Sequence, residues 1–119
     1  MPLSYKAPLR DIRFLTNEVF NYPEHYKTLK SGENADPETV DMMLDSFADY
    51  CSNVLMPLYQ SGDDEGCHFD KGVVTTPKGF KEAYKQYCEL GFPSLCADEE
   101  FGGQGMPLSL GSAVSEMVG

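Results

Sequence analysis

Asp36-Pro37-Glu38-Thr39-Val40-Asp41-Met42-Met43-Leu44-Asp45-Ser46-Phe47-Ala48-Asp49-Tyr50-Cys51-Ser52-Asn53-Val54-Leu55-Met56-Pro57-Leu58 is the stretch that decides the fold. Asp36 has the short carboxylate of an N-cap, Pro37 suits the first helical position, and Glu38 and Asp41 complement the positive end of the helix dipole. Val40, Met43, Leu44, Phe47, Cys51, Val54, Leu55 and Leu58 then recur along one face for about five turns. Asp41, Asp45, Asp49 and Asn53 fall on the opposite, solvent side. Such a helix belongs to a layered bundle. Pro57, which has no N–H to offer the preceding turn, is expected to kink or end it.

Helical patterns continue on both sides, so the expected fold class is all-α, a small helical bundle. Towards the N-terminus, Pro8 opens a helix with the stripe Leu9, Ile12, Leu15 and Val19, closed by Asn21-Tyr22-Pro23. Pro23 to Lys30 makes a short second helix, and Ser31-Gly32-Glu33-Asn34-Ala35 is a linker. Beyond Leu58, Gln60 to Thr75 reads as a polar connection. Within it, His68-Phe69-Asp70-Lys71-Gly72-Val73-Val74-Thr75 is patterned as a small β-hairpin turning at Asp70-Lys71-Gly72. Thr76-Pro77 restarts helix, with Phe80, Ala83, Tyr84, Tyr87 and Cys88 on its apolar face, and Gly91 stands at its C-terminal end. Phe47 and Leu44 are expected to be buried against this Phe80–Tyr87 helix.

Ala97-Asp98-Glu99-Glu100-Phe101-Gly102-Gly103-Gln104-Gly105-Met106-Pro107 is an acidic, glycine-dense turn. After it Leu110, Ala113, Val114, Met117 and Val118 take up helical spacing again. The sequence stops about one heptad into that helix, so the chain is expected to be a segment of a larger protein, with the stripe left uncovered. An uncovered stripe predicts a homo-oligomer that pairs these C-terminal helices about a two-fold axis.

Composition narrows the function. The 119 residues make one modest domain, and the net charge is −10. Five bases (Lys6, Arg10, Arg13, Lys27, Lys30) against three acids (Asp11, Glu18, Glu24) give the segment up to Ser31 a balance of +2, leaving −12 for the rest. A body this acidic has no basic stripe for phosphates, which argues against nucleic acid as a partner. The imbalance reads first as ordinary solubility charge, with steering of the mildly basic arm onto an acidic surface of the same or a neighbouring subunit as the alternative. No apolar run approaches the roughly eighteen residues of a transmembrane segment. The N-terminus lacks the apolar core of a secretory signal, which makes the protein cytoplasmic by expectation and its four cysteines reduced thiols.

No constellation makes a convincing active site. Cys67-His68 beside Asp63, Asp64, Glu65 and Asp70 lacks the second pair of soft ligands that zinc requires. A calcium loop with Gly66 at its sixth position would need a bidentate Glu where Gly72 stands. His25 has no nucleophile context, and Gly102-Gly103-Gln104-Gly105 lacks both the GxGxxG spacing and a P-loop Lys. Its glycines read as turn formers. The expected catalytic, cofactor-binding and metal residues within this chain are therefore none.

Taken together, these segments resemble the N-terminal domain of the flavin-dependent acyl-CoA dehydrogenases. The likeness rests on Ala97-Asp98-Glu99-Glu100-Phe101-Gly102-Gly103-Gln104-Gly105, on Thr76-Pro77-Lys78-Gly79-Phe80-Lys81-Glu82-Ala83-Tyr84, on Leu90-Gly91-Phe92, and on Val54-Leu55-Met56-Pro57-Leu58 closing the long helix. Tyr5-Lys6-Ala7-Pro8-Leu9-Arg10-Asp11-Ile12-Arg13-Phe14-Leu15 resembles the N-terminal extension of a bacterial subgroup that includes enzymes for long-chain and 3-methylmercaptopropionyl-CoA substrates. Many family members carry Pro where this chain has Asp98.

The resemblance implies residues 1–31 as the extension and residues 36–119 as the N-terminal helical domain, truncated at its end. It implies a parent oxidoreductase that oxidises acyl-CoA thioesters with FAD and passes electrons to a separate acceptor. FAD, most acyl-CoA contacts and the proton-abstracting glutamate belong by resemblance to domains beyond this sequence. The present domain helps wall the acyl pocket and packs on the C-terminal bundle, and the fragment alone is expected to be inactive and to bind no FAD. The alternative is a free-standing, non-catalytic helical interaction module.

Overall fold

The computed structural model describes residues 3–119. Its keel is one long helical run in three parts: α3 (Pro37–Tyr50), a π-helical stretch (Cys51–Leu55) and α4 (Met56–Glu65). The Asp36 carboxylate accepts hydrogen bonds from the Thr39 N–H at 3.1 Å and the Thr39 hydroxyl at 2.6 Å, which holds it below the usual carboxylate range. Pro57 does not end this helix. The Met56 N–H reaches back to the Cys51 carbonyl, an i to i−5 bond. The wider turn lies immediately before the residue that has no N–H to donate. Helix therefore continues to Glu65 and replaces the first part of the expected polar connection, ending at Gly66 with φ 68°.

β1 (His68–Asp70) and β2 (Val73–Thr75) form the expected antiparallel hairpin, pairing His68 with Thr75, Phe69 with Val74 and Asp70 with Val73. Lys71 and Gly72 make the turn, both with positive φ (48° and 81°), the geometry that matches strand twist in a two-residue loop. Helix α5 (Phe80–Glu89) begins later than Thr76-Pro77 suggests, because Gly79 is left-handed at φ 91°. Its approach is held by Glu65, whose carboxylate accepts from the Lys78 N–H (3.0 and 3.2 Å) and lies 3.0 Å from His68 Nε2. Short 3₁₀ turns at Phe92–Ser94 and Glu99–Phe101 lead into α6 (Leu108–Val118).

The core gathers Leu44, Phe47, Ala48, Tyr50 and Cys51 from the keel with Phe92, Leu95, Met106, Leu110, Val114 and Met117. Leu44 and Phe47 are each 2% exposed, as their mid-stripe position requires. Their cover differs from expectation. The Phe47 ring meets Phe92, centroids 4.2 Å apart, and α3 packs on α6. Of α5, Ala83 is buried and Tyr87 stacks on Phe92 at 4.7 Å, while Tyr84 is solvent-exposed. The expectation of an uncovered C-terminal stripe is also corrected. Leu110, Val114 and Met117 are buried in the chain's own core and only Val118 lies at the rim, so pairing of copies through this stripe loses its basis. Gly111 permits the approach, since a Cβ there would lie 2.6 Å from Cys96 Sγ.

The arm comprises α1 (Leu9–Arg13), a π-helical continuation (Phe14–Val19) and α2 (Tyr22–Tyr26), with Asn21 left-handed between them. Ile12 is buried, but Leu15 and Val19 are 45% and 51% exposed. The π spacing widens each turn and carries both out of the stripe that 3.6-residue periodicity predicts. Arg13 reaches Asp41 (2.6 Å) and Asp45 (2.8 Å), so these carboxylates on the polar side of α3 are not free solvent residues.

The domain is a slab with Cα extents of 54 × 39 × 16 Å. Its radius of gyration is 16.8 Å, against about 13–14 Å for a compact chain of this length. It exposes 8361 Å², where a compact monomer of its mass exposes about 6,400 Å². Phe47→Ala is expected to lower unfolding free energy by about 3–5 kcal/mol in urea titration. Asp45→Ala, at an exposed ion pair, should lower it by less than about 1 kcal/mol.

Candidate functional site

The glycine turn is built by backbone bonds that fold it against the preceding 3₁₀ and turn segment, residues 92–97. The N–H groups of Gln104, Gly105 and Met106 donate to the carbonyls of Ser94, Ala97 and Leu95, each at 2.9 Å. The N–H groups of Phe101 and Gly103 donate to Asp98 O, Gly102 to Glu99 O, and Glu100 to the Asp98 carboxylate. Every N–H from Glu100 to Met106 is thus satisfied internally, and three acidic side chains surround the turn. It does not fit a phosphate or the pyrophosphate of a dinucleotide, which needs convergent free N–H groups.

Its glycines are distinct in role. Gly102 (φ 82°) opens to solvent, whereas a Cβ on Gly103 would lie 2.1 Å from the Ala97 carbonyl oxygen. The Gln104 amide donates to Gly91 O at 3.2 Å and occupies the space where a side chain at Gly91 would sit. The tip, Phe101, is 82% exposed.

Beside the turn lies the principal concave surface. One groove, of about 880 Å³, runs between the Phe92–Ala97 segment and the Leu108, Gly111, Ser112 and Ser115 side of α6. A second, of about 430 Å³, is lined by Leu55, Leu58, Tyr59, Phe80, Tyr84 and Val118, among others. Tyr87 and Val118 line both, so the two form one face. Gly62 sharpens the second groove: a Cβ there would lie 2.4 Å from Phe80, so its absence lets the ring settle on α4. The Tyr50 hydroxyl, which borders this groove, donates to Ala83 O at 2.7 Å. No acidic, basic or imidazole side chain lines either groove. This face can bury apolar matter, and it has no group to move a proton at neutral pH.

The sequence-level candidates lie elsewhere. Among the described residues no cluster of three or more His, Cys, Asp or Glu side chains is placed to hold a metal. Cys67 is exposed and His68 pairs with Glu65. Burial pushes the Cys51 and Cys96 thiols up, which leaves them protonated and poorly nucleophilic. The tie from Gln104 to Gly91, the Gly62–Phe80 contact and the Arg13 fork all escape sequence reading. Of these, only the acid pair Asp41/Asp45 at i, i+4 leaves a visible signal, and it does not name its partner. Among the described residues no helix is long and apolar enough to cross a membrane.

A slab of helices with a glycine turn beside an apolar face defines the class. Residues 37–119 match the family profile described as acyl-CoA dehydrogenase, N-terminal domain. The chain is 33% identical over 116 residues to the 3-methylmercaptopropionyl-CoA dehydrogenase of Ruegeria pomeroyi, covering 98% of this chain and 20% of that protein. It is 31% identical over 117 residues to the butyryl-CoA dehydrogenase of Syntrophomonas wolfei, covering 96% of this chain and 19% of that protein. The chain belongs to the acyl-CoA dehydrogenase family, as its N-terminal helical domain. It spans about a fifth of the length of these relatives.

Gly103→Ala should destabilise the domain by about 1–3 kcal/mol through its collision with backbone. Gly102→Ala, which is strained but unobstructed, should cost about 1 kcal/mol. Thermal unfolding of the two variants checks the order. Hydrogen bonds hold both Asp36 and Glu65 below their ordinary pKa, Glu65 chiefly through the Lys78 N–H. Their stabilisation is present above the unfolded-state pKa of about 4 and is lost as pH falls through the lower folded values. A melting series from about pH 6 downward should fall less steeply at low pH in the Asp36→Ala, Glu65→Gln double variant than in the wild type.

Proposed function

We propose that this chain serves as the N-terminal helical domain, residues 36–119, with an N-terminal extension, residues 1–31, of a flavin-dependent enzyme that dehydrogenates acyl-CoA thioesters at the α,β position. The carrying observation is the uncovered apolar face of a slab that exposes about 2,000 Å² more than a compact monomer of its mass. A domain of that shape is stable and useful when other domains cover it. FAD, held by residues outside this chain, would supply the acceptor for the β-hydride, with a separate electron acceptor reoxidising it. The α-proton would be taken by a base outside this chain, a reading supported by two grooves lined with no acidic, basic or imidazole side chain. Its own contribution is to exclude water, to wall part of the acyl pocket and to seat the C-terminal bundle. The acyl-CoA specificity belongs to the whole protein.

Purified full-length protein should carry flavin absorbance and reduce an artificial acceptor dye when given acyl-CoA. The 119-residue chain should do neither. A full-length protein without flavin, inert to acyl-CoAs from short to long chain, overturns the catalytic reading in favour of an interaction module. Flavin binding by the 119-residue chain alone overturns the division of labour.

A further inference from the structure

The family profile begins at residue 37, yet Ala7, Ile12 and Tyr26 are buried in the same core as Leu44 and Leu110. The arm reaches that core in a particular way. Among the described residues, no backbone-to-backbone hydrogen bond joins residues 3–31 to residues 36–119, as between packed helices generally. Attachment is by side chains: the Arg13 guanidinium forks onto Asp41 and Asp45, and the Tyr26 hydroxyl meets the Ser109 hydroxyl on the first turn of α6. Between arm and body a cavity of about 30 Å³ remains, lined by Ile12, Tyr26, Leu44 and Leu110 among others. A 3₁₀ turn at Lys30–Gly32 and the exposed Glu33-Asn34 pair form the connection. The charges are complementary as well, +2 up to Ser31 against −12 for the remainder.

We propose that the α3/α6 face is a docking groove for a short, basic, amphipathic helix, filled here by the chain's own residues 3–31. The arm leaves and re-enters it as a unit, so that two copies of the chain can exchange arms. The recognition elements are an apolar anchor at Ile12, the Arg13 fork on an i, i+4 aspartate pair, and the Tyr26–Ser109 hydroxyl pair. The fork joins two carboxylates one helical turn apart, Asp41 and Asp45, through a single guanidinium.

The test uses the full chain with a protease recognition sequence inserted between Ser31 and Asn34. After cleavage, a fluorescent peptide of residues 3–31 is titrated in while circular dichroism follows the body. The body should keep its helical signal, retain the cut arm on gel filtration, and take up the labelled peptide saturably in exchange for it. A peptide carrying Ile12→Ala, which removes the buried anchor, should bind at least about ten-fold more weakly. Loss of the body's helical signal when the arm departs would make the arm an inseparable part of the core and overturn the proposal. So would a labelled peptide that never enters, or an Ile12→Ala peptide that binds as tightly as the wild type.

Discussion

The contact between the Phe47 and Phe92 rings is the constraint on which the rest of the domain depends. Phe92 is touched from three directions, by Phe47 at 4.2 Å, Tyr50 at 5.2 Å and Tyr87 at 4.7 Å, and so joins the keel to the end of α5. Its position follows from the residue before it. Gly91 takes φ 86°, which turns the chain sharply out of α5 and aims the next side chain inward. The Gln104 amide then fills the space at Gly91, so the same point fixes the glycine turn. One aromatic cluster thereby sets the relative placement of the keel, α5, the turn and the start of α6.

The flatness of the slab has a physical consequence for function. A layer 16 Å thick buries one seam of side chains and leaves its outer faces to solvent. Phe80, Tyr84, Leu108 and Val118 remain exposed along the grooves although the seam beneath them is closed. Exposed apolar surface of this extent on a monomer marks a contact surface. The face is shaped by small residues, Gly62 beneath Phe80 and Gly111 against Cys96, whose missing side chains let neighbouring elements approach. The residues that line it are apolar, aromatic or hydroxyl- and thiol-bearing, with no acidic, basic or imidazole side chain among them.

The arm shows how a charge balance visible in composition becomes geometry. Of its five bases, Arg13 is set opposite two aspartates of the keel. An exposed ion pair contributes little stability. Ile12 and Tyr26 supply the burial, and the guanidinium supplies direction. Buried apolar anchors with a charged contact at the rim also recur where amphipathic helices dock in grooves.

Local rules were enough for the elements whose causes are local. The Asp36-Pro37 cap, the hairpin turning through Lys71-Gly72, the left-handed Gly91 and the inward face of Leu44, Phe47 and Cys51 all follow from neighbouring residues and period. The glycine turn was legible as a turn for the same reason. Only the tertiary structure decided which surfaces meet, because that depends on residues far apart in sequence. Phe47 meets Phe92 rather than α5, and the stripe on α6 closes on its own core rather than on another copy. The two π-helical stretches also lay beyond sequence period. Each lengthens a turn by one residue, which carried Leu15 and Val19 into solvent and let the keel run through Pro57. A periodicity argument assumes 3.6 residues per turn throughout, and it loses phase wherever the backbone widens.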